Sequence, residues 1–226
     1  MTATRKQVIV AGGGVSLPGD LTVPGVPSGL ILFAHGSGSS RHSPRNQAVA
    51  ARLNEAGFGT LLFDLLTADE ERTDARTGAL RFDIALLARR LTMAVDWLDR
   101  GGERAGRLPC GLFGASTGAA AALATAGQRP GRVRAVVSRG GRPDLTGPRL
   151  AAVRAPVLLI VGGADTQVRK LNEAVLGELP DGSELAVVPG AGHLFTEPGA
   201  LEQVTRLALN AFELYLAPQP PHHHAS

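Results

Sequence analysis

The sequence predicts an α/β fold: a mostly parallel central sheet with helices on both faces, entered through an N-terminal antiparallel hairpin and carrying no large cap domain. Three observations carry this. Short runs of Val, Ile, Leu and Phe that are apolar on both faces alternate with longer helical patterns, as expected of parallel strands covered on both sides. The opening stretch VIVAGGGVSLPGDLTVPG holds glycine and Leu-Pro-Gly-Asp turn signals that fold a chain back on itself. The chain of 226 residues is 44% hydrophobic without a run of eighteen apolar positions, so it reads as one soluble domain with its own core and no membrane span.

Strands are expected at 7–12, 29–35, 58–66, 110–116, 133–139, 156–163 and 183–190, and helices at 44–56, 80–99, 117–127, 166–179 and 198–216. No repeat or composition break divides 1–217, which reads as one domain. The tail at 218–226 is rich in Pro and ends near a three-histidine run, and reads as flexible. The segment LLTADEERTDARTG (65–78) is too short and polar for a lid domain, which predicts an open site for small substrates.

Charge and cysteine usage narrow the function classes. The net charge of +3 comes from 23 basic and 20 acidic residues without a dense basic stripe, and one Trp, one Tyr and seven Phe give little stacking surface. Both points argue against nucleic acid as a partner. The start, MTATRKQVIVAGGG, has no convincing secretory h-region, so cytoplasmic localisation is expected. The single cysteine, Cys110, precludes an internal disulfide and a thiolate metal cluster, and no metal site is expected. It lies within a central strand run and reads as a buried packing residue.

In a sheet of this kind ligands gather beyond the carboxyl ends of the strands. The stretch GASTG (114–118) falls there, with CGLFGA ending as a strand and STGAAAALATAG beginning as a helix. Ser116 on so tight a turn is crowded from both sides, and glycines at 114 and 118 relieve the crowding. Alone, the pattern fits equally a helix N-cap on a glycine-eased turn.

A serine hydroxyl is a weak nucleophile and needs a base, with a third group to orient that base. His193, in PGAGHLF after the last strand run, is the candidate base. Asp165, in VGGADTQV, is the candidate orienting acid; it could also cap the helix that follows, and Asp144 competes with it. An oxyanion formed by attack on a carbonyl needs backbone N–H donors. Thr117, after the serine, offers one and Ser37, in the loop HGSGSSRHSPRN, the other, with Gly36 and Gly38 letting that loop turn its amides inward. His35 leads this loop and reads as a structural residue. Gly36, Arg139 and Arg142 are candidate substrate-binding residues: the two arginines, beside the same edge, either meet a substrate carboxylate or form an ion pair with Asp144 or another loop acid.

The ordered set HGSG (35–38), GASTG (114–118), GGAD (162–165) and GAGH (190–193) resembles the α/β-hydrolase superfamily, and the cap-less length is similar to its dienelactone hydrolase-like branch. The resemblance spans nearly the whole chain. The longer stretches HGSGSSRHSPRN and VSRGGRPDL are similar to a bacterial subgroup of hydrolases, some joined to phosphoribosyltransferase domains. True dienelactone hydrolases carry a cysteine nucleophile where this chain has Ser116. The resemblance therefore implies a serine carboxylesterase-type hydrolase of small or short-acyl esters or lactones, rather than the dienelactone activity itself. It implies no cofactor, a small-molecule ester as partner, and a monomer or homodimer. A cofactor-free perhydrolase or acyltransferase using the same residues, and a non-catalytic binding module on the same scaffold, are the rival readings.

Overall fold

The computed structural model describes residues 3–100 and 108–216; the tail expected at 218–226 lies outside them. Four strands, β3 (Leu30–Ala34), β4 (Gly59–Phe63), β5 (Cys110–Ala115) and β7 (Val157–Gly162), are buried along their whole length, as runs apolar on both faces require. They belong to an eight-stranded sheet with β1 (Thr4–Gly12), β2 (Val15–Val23), β6 (Val133–Arg139) and β8 (Glu184–Val188), in the order β1-β2-β4-β3-β5-β6-β7-β8. The hairpin β1–β2 is antiparallel and β2 meets β4 antiparallel, while every pairing from β4 to β8 is parallel.

Alternation along the strands splits the core into two layers. Leu30, Leu32 and Leu112 face one side, where they meet α3 (Ile84–Arg100) and α4 (Thr117–Gln128). Ile31, Phe33 and Phe113 face the other, under α1 (Pro44–Glu55) and α6 (Ala200–Leu216). Phe33 and Phe113 stack there with ring centroids 4.9 Å apart. Helix α5 (Thr166–Val175) follows β7 and adds Val175 to the first layer. Among the described residues no helix is long and apolar enough to cross a membrane.

Two segments differ from the sequence reading. The polar stretch before Arg81 contains α2 (Ala68–Thr77), which the periodicity does not reveal because Asp74 alone of its residues is buried. Its end signals are nonetheless written in the chain: Thr67 and Glu70 form a capping box, and Gly78 closes the helix at φ 67°. Residues Pro143–Ala152 form short 3₁₀ turns broken at Gly147, where the sequence suggests only loop. The helix expected at 80–99 begins instead with a 3₁₀ turn, Leu80–Phe82, and becomes α-helical at Ile84.

Candidate active site

The turn from β5 into α4 is built by close approach. A Cβ on Gly118 would sit 2.6 Å from the carbonyl oxygen of His35, and one on Gly114 would sit 2.7 Å from the backbone N of Ala119. Neither position tolerates a side chain without moving backbone, so glycine brackets Ser116 for steric reasons. Ser116 itself has φ 51° and ψ −120°, a backbone region that costs a non-glycine residue about 1–3 kcal/mol. Three hydrogen bonds hold it there. Its N–H donates to Arg139 O at 3.2 Å, and its carbonyl accepts from Ala119 N and Arg142 N, each at 3.1 Å. The Ser116 hydroxyl makes no capping bond to α4, although the residue stands at the N-cap position. Its oxygen is left for other chemistry at the positive end of a twelve-residue helix.

Asp165 and His193 meet across two loops. His193 Nδ1–H donates to Asp165 Oδ2 at 2.7 Å, while Asp165 Oδ1 accepts from Val168 N at 3.4 Å and caps α5. One carboxylate therefore both starts the helix and orients the imidazole. Bonding at Nδ1 leaves Nε2 as the acceptor nitrogen, and among the described residues it has no hydrogen-bond partner. Ser116 and His193 border the same loop: Arg142 N binds the serine carbonyl, and a Cβ on Gly140 would lie 3.2 Å from His193 O. Among the described residues no hydrogen bond joins the Ser116 hydroxyl to His193, a contact that in ligand-free sites often closes only with substrate. Asp144 is spent elsewhere, held bidentately by Arg142 with contacts of 2.7 and 2.9 Å.

The loop after β3 comes beside the serine, since a Cβ on Gly36 would lie 3.1 Å from Ser116 Cβ. The Ser37 and Thr117 hydroxyls are 3.1 Å apart, which ties the two loops together. Among the described residues neither the Ser37 nor the Thr117 backbone N–H is used in a hydrogen bond. His35 anchors the loop from below: Leu65 N–H donates to its Nε2 at 3.1 Å, and its Nδ1–H donates to Gly36 O at 3.1 Å. Burial holds its pKa below the ordinary 6.5, so the ring is neutral with both nitrogens spent. Cys110 is fully buried six residues upstream of Ser116, and burial pushes its thiol up to about 12.

A cavity of about 450 Å³ opens beside Ser37 and Thr117, under α2 and the start of α3. Leu65, Leu66, Ala75 and Leu87 supply its apolar wall, and His42, Glu71 and Arg81 its polar one. The wall formed by α2 is the part of the site that sequence reading misses. The signal that could have found it is the capping box Thr67–Glu70.

Residues 29–181 match the family model described as alpha/beta hydrolase fold. The chain belongs to the α/β-hydrolase family. Its branch is the dienelactone hydrolase-like one, because it is 52% identical in sequence to the solved dienelactone hydrolase from Anabaena variabilis, with a TM-score of 0.92 over 94% of this chain and 98% of that one. A dienelactone hydrolase-like promiscuous phosphotriesterase from metagenomic libraries shares the fold at a TM-score of 0.76, covering 94% of this chain and 98% of its own, with 19% identity. A curated Mycobacterium tuberculosis protein named "Putative phosphoribosyl transferase" is 56% identical over 207 residues, which are 92% of this chain and 46% of that protein. The chain thus spans about half the length of the curated relatives it matches.

Proposed function

We propose that this α/β-hydrolase is a serine hydrolase that cleaves small or short-acyl esters or lactones through an acyl-enzyme on Ser116. The observation that carries the reading is the positive-φ backbone at Ser116, whose hydroxyl is left uncapped at the sheet edge where the Asp165–His193 pair also lies. In the proposed reaction His193 Nε2 takes the Ser116 proton as the oxygen attacks the ester carbonyl, and Asp165 stabilises the imidazolium through Nδ1–H. The amides of Ser37 and Thr117 receive the oxyanion, each such donor being worth about 2.7–4 kcal/mol of transition-state stabilisation. The protonated imidazole then gives its proton to the leaving alcohol. Water activated by the same nitrogen frees the acyl group.

The cavity beside Ser37 and Thr117 suits a small acyl or alcohol group, which supports the size class of substrate. The transferase name of the curated relatives belongs, in this reading, to the half of those proteins that the chain does not match. The test is turnover of 4-nitrophenyl acetate by the wild type and by Ser116→Ala, with fluorophosphonate labelling alongside. Loss of both turnover and label in the variant is the expected result, and a variant that still turns over the ester would overturn the assignment.

A further inference from the structure

A second cavity, of about 330 Å³, lies between the β1–β2 hairpin and α3, and shares no lining residue with the cavity beside Ser37 and Thr117. Gly12 and Gly13, at the turn of the hairpin, form one wall and have no side chains to fill it. The facing wall presents Arg89, Arg90 and Arg100 of α3, with Gln128 from the end of α4. The acceptors around these donors are already engaged. Asp96, which also lines the cavity, is held bidentately by Arg129 with both contacts at 2.8 Å. Gln128 Oε1 accepts from Thr92 Oγ1 at 3.3 Å, which leaves its amide nitrogen as a donor without a partner among the described residues. Arg90 Nη2 donates to Glu70 Oε1 at 2.7 Å, but Arg90 Nε is buried and has no hydrogen-bond partner. Among the described residues Arg89 makes no ion pair, and Arg100 donates only to Ala11 O, at 3.4 Å. The cavity is therefore rich in unspent cationic donors, a composition that favours an oxyanion over a neutral ligand.

We propose that this cavity binds a phosphate group, free or carried by a small molecule, through Arg89, Arg90, Arg100 and the Gln128 amide. Guanidinium forks match phosphate oxygens in geometry, and several of them together suit a dianion. Glu70 links this cavity to the one beside Ser37 and Thr117. Its Oε1 holds Arg90 while its Oε2 accepts Thr67 N at 2.8 Å in the capping box of α2, and Glu71, Asp74 and Ala75 of that helix wall the other cavity. A phosphate that engages Arg90 competes with the Glu70 carboxylate and repels it, so occupancy loosens the first turn of α2. Binding at this position is independent of the hydrolase reading.

Calorimetric titration of the full chain with inorganic phosphate and with glycerol 3-phosphate, at constant ionic strength, reads the site directly. One saturable site is expected. Its Kd should rise about tenfold or more in Arg89→Gln and in Arg100→Gln, both exposed positions, and stay unchanged in Arg134→Gln, an exposed arginine outside the cavity. Glu70→Gln keeps an acceptor for the capping box and removes the competing charge, so it should tighten binding severalfold. Tighter binding of glycerol 3-phosphate marks the ligand as a phosphate ester, and tighter binding of inorganic phosphate marks it as the free ion. Hydrogen exchange of the backbone amides at 68–77 should quicken at saturation with the tighter of the two. No saturable binding of either probe, or an equal loss of affinity in Arg134→Gln, overturns the site. Unchanged exchange at 68–77 at saturation overturns its link to the catalytic cavity.

Discussion

Two histidines stand at carboxyl ends of the same sheet, and their surroundings give them opposite chemistry. His35, after β3, is buried, accepts from Leu65 N–H at Nε2 and donates from Nδ1 to Gly36 O, which exhausts the ring. His193, after β8, is exposed and spends only Nδ1, on Asp165 at 2.7 Å. A base needs a free nitrogen whose tautomer is set from the other side. The difference teaches that position on the sheet edge admits a residue to the site, but the account of its two nitrogens decides its role.

The largest effect should come from His193→Ala, with esterase kcat falling about 10⁵-fold and thermal unfolding nearly unchanged, because the ring is exposed and packs little. Steady-state kinetics with calorimetry reads both. Asp165→Asn should lower kcat by about 10⁴-fold through the wrong imidazole tautomer, and a stability loss of about 1 kcal/mol with kcat kept would instead mark the residue as chiefly a helix cap. His35→Ala is the opposite case. Stability should fall by about 1–3 kcal/mol in urea unfolding, since Leu65 N–H is left buried without an acceptor.

The buried His35 also makes stability respond to acid. His35 has a folded pKa below the unfolded 6.5, so the unfolded chain binds more protons as the pH drops. Its contribution is intact above 6.5 and is lost as the pH falls through the folded value. Unfolding free energy measured from neutral pH downward should decline over that window in the wild type and decline less in His35→Ala. The smallest effect concerns the buried thiol upstream of the turn: with its pKa pushed up to about 12, Cys110 should stay unlabelled by iodoacetamide in the folded protein at pH 8 and react once urea unfolds it.

Much of this arrangement is legible locally. The runs that became β3, β5 and β7 are apolar on both faces, and the turns HGSG, GASTG, GGAD and GAGH lie at strand ends because glycine is needed where the chain reverses closely. The helix α2 escaped because periodicity detects a buried stripe, and this helix buries a single carboxylate against Arg81 rather than a row of apolar side chains. The choice between Asp165 and Asp144 could be argued from chain order, but the reason for it is visible only in space, where Arg142 claims Asp144.

What the sequence by itself determined, then, is the alternation of strands and helices and the glycine-bracketed serine, since both follow from rules that act within a few residues. What the tertiary structure decided is who pairs with whom. Arg139 and Arg142 are indistinguishable as residue types three positions apart, yet Arg142 is exposed enough to grip a carboxylate and Arg139 is buried at the end of β6. Charge pairing depends on side-chain direction across a packed sheet, and that direction exists only once the strands have found their neighbours.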